Sequence, residues 1–267
     1  MMPHLMPTRS ESVVFFEQQI DLSRTLPYLE ERRARGEAIT LFHVVLAGLV
    51  RVLATRPQLH RFVVGRRLYQ RHTIELSFAV KKQFTEEARL TTVKVAFAST
   101  DTLDDVVRRV LEGVGTGKGD RDTTSEREMS VVTRLPRFAV RGLMAAQRAL
   151  DYFNLLPASM VKNDPLYASM FVANLGSIGL DAAFHHLYEY GTVPLFAAIG
   201  RVHRAPVVTE GERLEAREVC RMRYTFDERI ADGYYAARSL ELLKGWVENP
   251  ASLEEPPHLD DAAPPAP

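Results

Sequence analysis

The sequence predicts an α/β protein: a two-layer fold in which one mixed β-sheet is covered by helices. Three observations carry this reading. Strand-like and helix-like segments are interleaved along 267 residues without the strict βαβ alternation of a doubly wound parallel sheet. Leu41 to Thr55 is apolar on most sides, as a helix buried in the middle of a domain must be. The hydrophobic share of 46%, beside 25% charged residues, is that of an ordinary globular chain long enough for one large core. No internal repeat interrupts it, so the expected organisation is an N-terminal extension over 1–12, one domain over 13–250 and a tail over 251–267.

Val13 to Ile20 is dense in β-branched and aromatic residues and reads as a strand, and Asp21 offers an N-cap to a charged helix from Leu22 to Arg35 that Gly36 ends. Thr40 caps the apolar helix Leu41 to Thr55, and Pro57 stops it. Leu68 to His72, Thr73 to Lys81 and Arg89 to Phe97 read as neighbouring strands of the sheet. A short helix runs from Asp101 and Thr102 through Val110. The glycines from Gly113 and the charged stretch to Glu128 then lack apolar periodicity and read as a mobile loop. Leu135 to Asn154 is a long amphipathic helix with Arg137, Arg141 and Arg148 on one side, suited to covering the sheet. Strands follow at Tyr167 to Ala173, Val193 to Val202 and Val219 to Phe226, and Tyr234 to Val247 is the last helix. From Ala251 onward, five prolines and four acidic residues leave too little apolar material to fold.

Several function classes fall away. Lys+Arg and Asp+Glu both count 34, so no bulk charge draws the chain to nucleic acid. Cys220 is the only cysteine, which excludes an intrachain disulfide and Cys-rich metal sites and fits a reducing, cytoplasmic address. The longest apolar run, Ala38 to Val50, is too short to span a bilayer, and no secretion signal opens the chain. Gly113 to Gly119 lacks the first glycine and the Ser/Thr of a phosphate-binding loop and follows a helix rather than a strand. His185 and His186 are adjacent, which is not ligand spacing, so no metal site is expected. The basic helix from Leu135 also permits a membrane-surface reading, weighed below that of a covering helix.

One segment carries chemistry: Tyr224-Thr225-Phe226-Asp227-Glu228-Arg229-Ile230-Ala231-Asp232-Gly233, followed by a helix and Glu248-Asn249-Pro250. It resembles the terminal signature F-D-H-R-x-x-D-G of the acyltransferase domain of 2-oxoacid dehydrogenase complexes. Val172-Ala173-Asn174-Leu175-Gly176 is similar to that family's I-S-N-L-G, and Ala197 to Val202 to its A-I-L-x-V-G strand. The resemblance covers most of Val13 to Pro250 and is weakest between Gly113 and Tyr167. It implies the fold shared with chloramphenicol acetyltransferase and a homotrimer with active sites at subunit interfaces. It also implies a channel that admits coenzyme A from one side and the acyl acceptor from the other. No lipoyl domain precedes Val13, so the expectation is the acyltransferase fold alone.

Two departures bear on catalysis. The family's proton-abstracting His is Glu228 here, and its oxyanion-binding Ser is Ala173. A carboxylate, ordinarily near pKa 4.3, lies about four units from a thiol near 8.5, against about two for imidazole; at 1.36 kcal/mol per unit this is roughly 3 kcal/mol of extra uphill transfer. Burial raises a carboxylate and narrows the gap. A methyl group, by contrast, cannot donate a hydrogen bond, and losing one oxyanion donor costs about 10² to 10³ in rate. Asn174 and Ser177 are the only nearby substitutes. Asp232 is retained; in the family it orients the catalytic loop through an Arg salt bridge, for which Arg9 and Arg229 are candidates. The sequence thus predicts a catalytically impaired, self-assembling scaffold. The alternatives are a coenzyme-A-dependent acyltransferase with Glu228 as base, or an acyl-CoA-binding sensor.

Overall fold

The computed structural model describes residues 1–81, 90–117, 136–209 and 211–257. Two helical turns, α1 (Met2–Leu5) and α2 (Arg9–Ser12), lead into β1 (Val13–Asp21), α3 (Thr25–Ala34), α4 (Leu41–Thr55), the hairpin β2 (Arg61–Val64) and β3 (Arg67–Gln70), β4 (Ile74–Lys81), β5 (Leu90–Phe97) and α5 (Leu103–Gly117). Then come α6 (Arg137–Tyr152), α7 (Ala158–Asn163), β6 (Met170–Asn174), β7 (Leu195–Thr209), β8 (Arg213–Asp227) and α8 (Gly233–Glu248).

Six strands form one sheet in the order β1-β8-β7-β6-β4-β5. It is mixed: β6 runs parallel to both β4 and β7, and the other pairs are antiparallel. Period-two alternation divides the strand residues between two faces. Ile20, Met222, Ile199, Val172 and Leu76 face the main core, where α4 lies buried from His43 to Leu53. Phe171, Ala173, Phe196, Ala198 and Val13 face a second, smaller cluster roofed by Ala182 and Leu187. Thr40 starts α4, and His43 Nδ1 accepts from the Thr40 N–H at 3.1 Å, closing the first turn.

The structure corrects several element boundaries. Helix α3 begins at Thr25, because Asp21 is the last residue of β1; its carboxylate accepts from Ser23 N at 2.9 Å and pairs with Arg217 at 2.7 Å instead of capping a helix. The predicted strand at Leu68 to His72 is β3, which pairs only with β2 outside the large sheet. The turn between them puts Gly65 and Arg66 at φ 55° and 61°, the left-handed pair a tight hairpin requires. Helix α5 does not stop at Val110 but continues through Gly113 and Gly115 to Gly117. A Cβ on Gly113 would lie 2.7 Å from Val95 Cγ2, so the missing side chain lets α5 press onto β5. The remainder of the predicted loop, 118–128, lies outside the described residues.

Strands β7 and β8 extend well beyond the predicted ends, to Thr209 and from Arg213. Strand β1 pairs with β8 only as far as Val219, so the distal hairpin is a two-stranded ribbon whose mixed polar sequence hides its strand period. Folded material also passes Pro250. Pro250–Leu253 is a 3-10 turn with Leu253 buried, and Arg51 Nη1 donates to Ser252 O at 2.6 Å; 258–267 lies outside the described residues. At the other end, Arg9 and Ser12 of the predicted extension are buried. Helix α6, expected to cover the sheet, contributes no buried residue. Among the described residues no helix is long and apolar enough to cross a membrane.

Candidate active-site framework

The signature segment takes in the last four residues of β8 and the turn that follows them. Asp227 N donates to Pro194 O at 3.0 Å and Glu228 N to Ser12 O at 2.9 Å, so the backbone is held from both sides. The Asp227 carboxylate is buried. It accepts Arg229 Nε and Nη2, each at 2.8 Å, in a two-pronged ion pair, and also Ser12 Oγ at 2.9 Å. The remaining Arg229 nitrogen, Nη1, donates to Met6 O and Pro7 O at 3.3 and 3.2 Å. A buried charge pair is tolerated only when its other hydrogen-bonding positions are filled, and the N-terminal residues fill them here. Arg9 lies in the same layer, donating to Tyr188 O at 2.5 Å and to Gly191 O. Burial lowers its pKa, with Asp227 acting against the shift.

Glu228 sits half-buried between these two interior side chains. Asp232 is exposed and caps α8, its Oδ1 accepting from Tyr235 N at 2.8 Å. The expected salt bridge from Arg9 or Arg229 to Asp232 is not formed, because Arg229 is committed to Asp227 and Arg9 to backbone carbonyls. The local sequence explains the difference. Only Glu228 separates Asp227 from Arg229 where the chain turns off the strand, which lets the guanidinium fold back on the nearer carboxylate.

Ala173 lies on β6 opposite Ala198 of β7, half-buried in the second apolar cluster. Its neighbours are engaged elsewhere. Asn174 Oδ1 accepts from Ser177 N at 3.2 Å, and Ser177 Oγ donates to Asn174 O at 2.7 Å, so both close the 3-10 turn Leu175–Ile178. The two glycine-bearing motifs meet at this turn. A Cβ on Gly176 would collide with Gly200 O, and one on Gly200 would lie 2.5 Å from Asp181 Oδ1. The irregularity in β7 between Ile199 and Val202 makes room for the turn, and Arg201 N donates to Leu180 O at 2.9 Å. Sequence reasoning found these glycines as motif members but not as contact partners, since only the strand order brings them together.

The register also fixes the separation of the two substituted positions. Ala173 is level with Ala198, and Ala198 with Arg223; Glu228 lies five residues farther on, just past the end of β8 and two strands away. That places them roughly 15 to 20 Å apart within one chain. A single tetrahedral centre cannot touch both from the same copy. Elsewhere, His185 stacks on Phe196 at 4.0 Å and on His186 at 4.8 Å. Cys220 is buried, its Sγ donating to Gly200 O at 3.2 Å, and burial pushes its thiol up to about 11. No group of three His, Cys, Asp or Glu side chains suited to a metal ion occurs among the described residues.

Comparison with known proteins agrees with this framework. The family model for the catalytic domain of 2-oxoacid dehydrogenases acyltransferase matches residues 160–254. A probable dihydrolipoamide acetyltransferase from Listeria monocytogenes superposes with a TM-score of 0.60 at 14% identity, over 92% of this chain and 90% of that one. The cubic core of the pyruvate dehydrogenase multienzyme complex gives 0.57 at 15% identity, over 94% and 90%. A chloramphenicol acetyltransferase gives 0.52 at 13%, over 89% and 87%. The chain has the chloramphenicol-acetyltransferase-like acyltransferase fold. No curated protein matches the sequence. The matched segment holds Ala173, Glu228 and Asp232, together with both glycine motifs.

Proposed function

We propose that this protein is a homotrimeric acyltransferase-fold scaffold in which the standard acyl transfer has been lost. The observation that carries the reading is the pair Ala173 and Glu228 within a framework that is otherwise kept. The Asp227–Arg229 pair and the Asp232 cap hold the signature loop, and Gly176 against Gly200 holds the opposite turn. The oxyanion position offers a methyl group, and the Ser177 hydroxyl is spent on the turn. Loss of that donor alone removes about 10² to 10³ in rate. The intrachain separation of the two positions supports assembly, because a site that uses both needs a second copy. Homologous folds occur in oligomeric cores such as the pyruvate dehydrogenase cubic core.

Calorimetric titration of coenzyme A and acetyl-CoA, with light scattering on the same sample, tests this. The expected result is a mass of three chains or a multiple of three and no binding at millimolar ligand. Saturable binding at one site per chain would favour the altered-enzyme or sensor reading instead. The double replacement Glu228→His with Ala173→Ser separates those outcomes further. Acetyl transfer to dihydrolipoamide should rise from baseline if the channel persists and stay at baseline if the channel has closed.

A further inference from the structure

Helix α6 is fastened to the body by polar groups, with Val140 and Met144 half-buried beside them, and turns Phe138 outward. Gln147 Nε2 donates to Tyr190 Oη at 2.8 Å, and Tyr167 Oη donates to Asp151 Oδ1 at 3.1 Å. These two positions, four residues apart, define the inner face of the helix. At about 100° per residue an uncharged arc of roughly half the circumference carries Tyr152, Phe138, Leu150 and Leu143, with alanines and Gly142 between them; Leu143 and Leu150 lie at its edge nearest the body, and Val140 and Met144 lie on the inner face itself, half-buried. Phe138 is 79% exposed, and the chain beyond the helix continues with Phe153 at 68% and Leu155 at 64%. Neither α6 nor α7 buries a single residue. A helix that covers a sheet buries its apolar stripe, whereas α6 half-buries Val140 and Met144 and leaves Phe138 in solvent.

Charge decides what this face suits. Arg137, Arg148 and Arg141 form a row along one border of the apolar arc, and Lys162 follows on α7. The only acidic residue of α6, Asp151, is turned inward onto Tyr167. A two-fold contact of this face with itself in a second copy would set one arginine row near the other with no acidic partner on the helix to offset it. An anionic lipid surface meets both requirements, taking the aromatic and aliphatic side chains below the headgroups and the arginines against phosphate. We propose that α6 is a membrane-surface helix that docks the protein on anionic lipid, with Phe138, Leu143 and Leu150 inserted.

The test uses the whole protein sedimented with vesicles of phosphatidylcholine alone, or of phosphatidylcholine with about one-third phosphatidylglycerol. Co-sedimentation is expected only with the anionic vesicles and weakens as salt is raised. Replacing Arg137, Arg141 and Arg148 together by Gln should reduce binding about a hundredfold, near fivefold for each. Leu143→Glu with Leu150→Glu should abolish it; since these side chains are only 46% and 42% exposed, Phe138→Glu, at 79% exposure, is the companion variant that should weaken binding with the unfolding midpoint unchanged. Equal binding to both vesicle types, or to neither, overturns the proposal. So does a fall in oligomeric mass in the double Glu variant, which would make this face a contact between copies.

Discussion

Helices α4 and α6 are nearly the same length, 15 and 16 residues, and both mix apolar residues with arginine, yet every residue of α4 from His43 to Leu53 is buried and none of α6 is. The difference lies in their surroundings. Helix α4 is closed in by the sheet and by α8, closely enough that a Cβ on Gly48 would lie 2.8 Å from Leu243 Cδ1. Even Arg51 is accommodated there, its head donating to Ser252 O and its guanidinium lying over Trp246. Helix α6 rests on the body through Gln147 and Asp151, with Val140 and Met144 half-buried beside them, and Phe138 stays 79% exposed. Apolar content therefore fixes what a helix can bury, and neighbouring elements fix whether it does.

Three measurements would sharpen or break this contrast. The largest effect is expected from Leu46→Ala, which empties a fully buried position of α4 and should cost about 2–5 kcal/mol in denaturant unfolding. A cost under about 1 kcal/mol would mean that α4 is not the central packing element.

Acid should act on the same region. Burial lowers both His43 and His60 to about 4, below the ordinary imidazole value near 6.5. The unfolded chain then takes up more protons than the folded one between those values. Stability from these groups is present in full above about pH 6.5 and is lost as pH falls toward 4. His43→Gln keeps a capping acceptor at the third position of α4 and should flatten part of the decline in unfolding midpoint. An unchanged slope would place the proton uptake elsewhere. The smallest effect is expected from Leu143→Ala on α6, within about 0.5 kcal/mol. A loss comparable to that of Leu46→Ala would show that the outer face of α6 is covered in solution.

Much of the fold was legible wherever a local rule was strong. Thr40 and Pro57 bracket α4, β1 follows its β-branched run, and Asp232 with Gly233 opens α8. Reading failed where a local signal had two outcomes. Gly113 reads as a loop residue in sequence, but close packing on Val95 keeps it helical. The distal β7–β8 ribbon is exposed on both sides and mixes polar residues with Val207, Val208 and Leu214 on either face, so it lacks the one-sided apolar alternation that marks a strand. At the candidate site, the substitutions Ala173 and Glu228 were plain from the motifs, whereas the partner of Arg229 was not. Two carboxylates lay within reach in sequence, and only the turn after β8 selected Asp227 over Asp232.

The sequence by itself determined the class of fold, the buried helix, the paired glycine motifs and the presence of Ala173 and Glu228 within the two motif-like segments, because each depends on residue type and short spacing. Tertiary structure decided which groups meet. It locked Ser12 and Met6 of the N-terminal segment onto the Asp227–Arg229 pair, set Gly176 against Gly200, and placed Ala173 and Glu228 too far apart to act from one chain. It also left the apolar face of α6 outward, an outcome no period can reveal, since an amphipathic helix carries the same pattern whether its apolar side meets a sheet, a partner or a lipid surface.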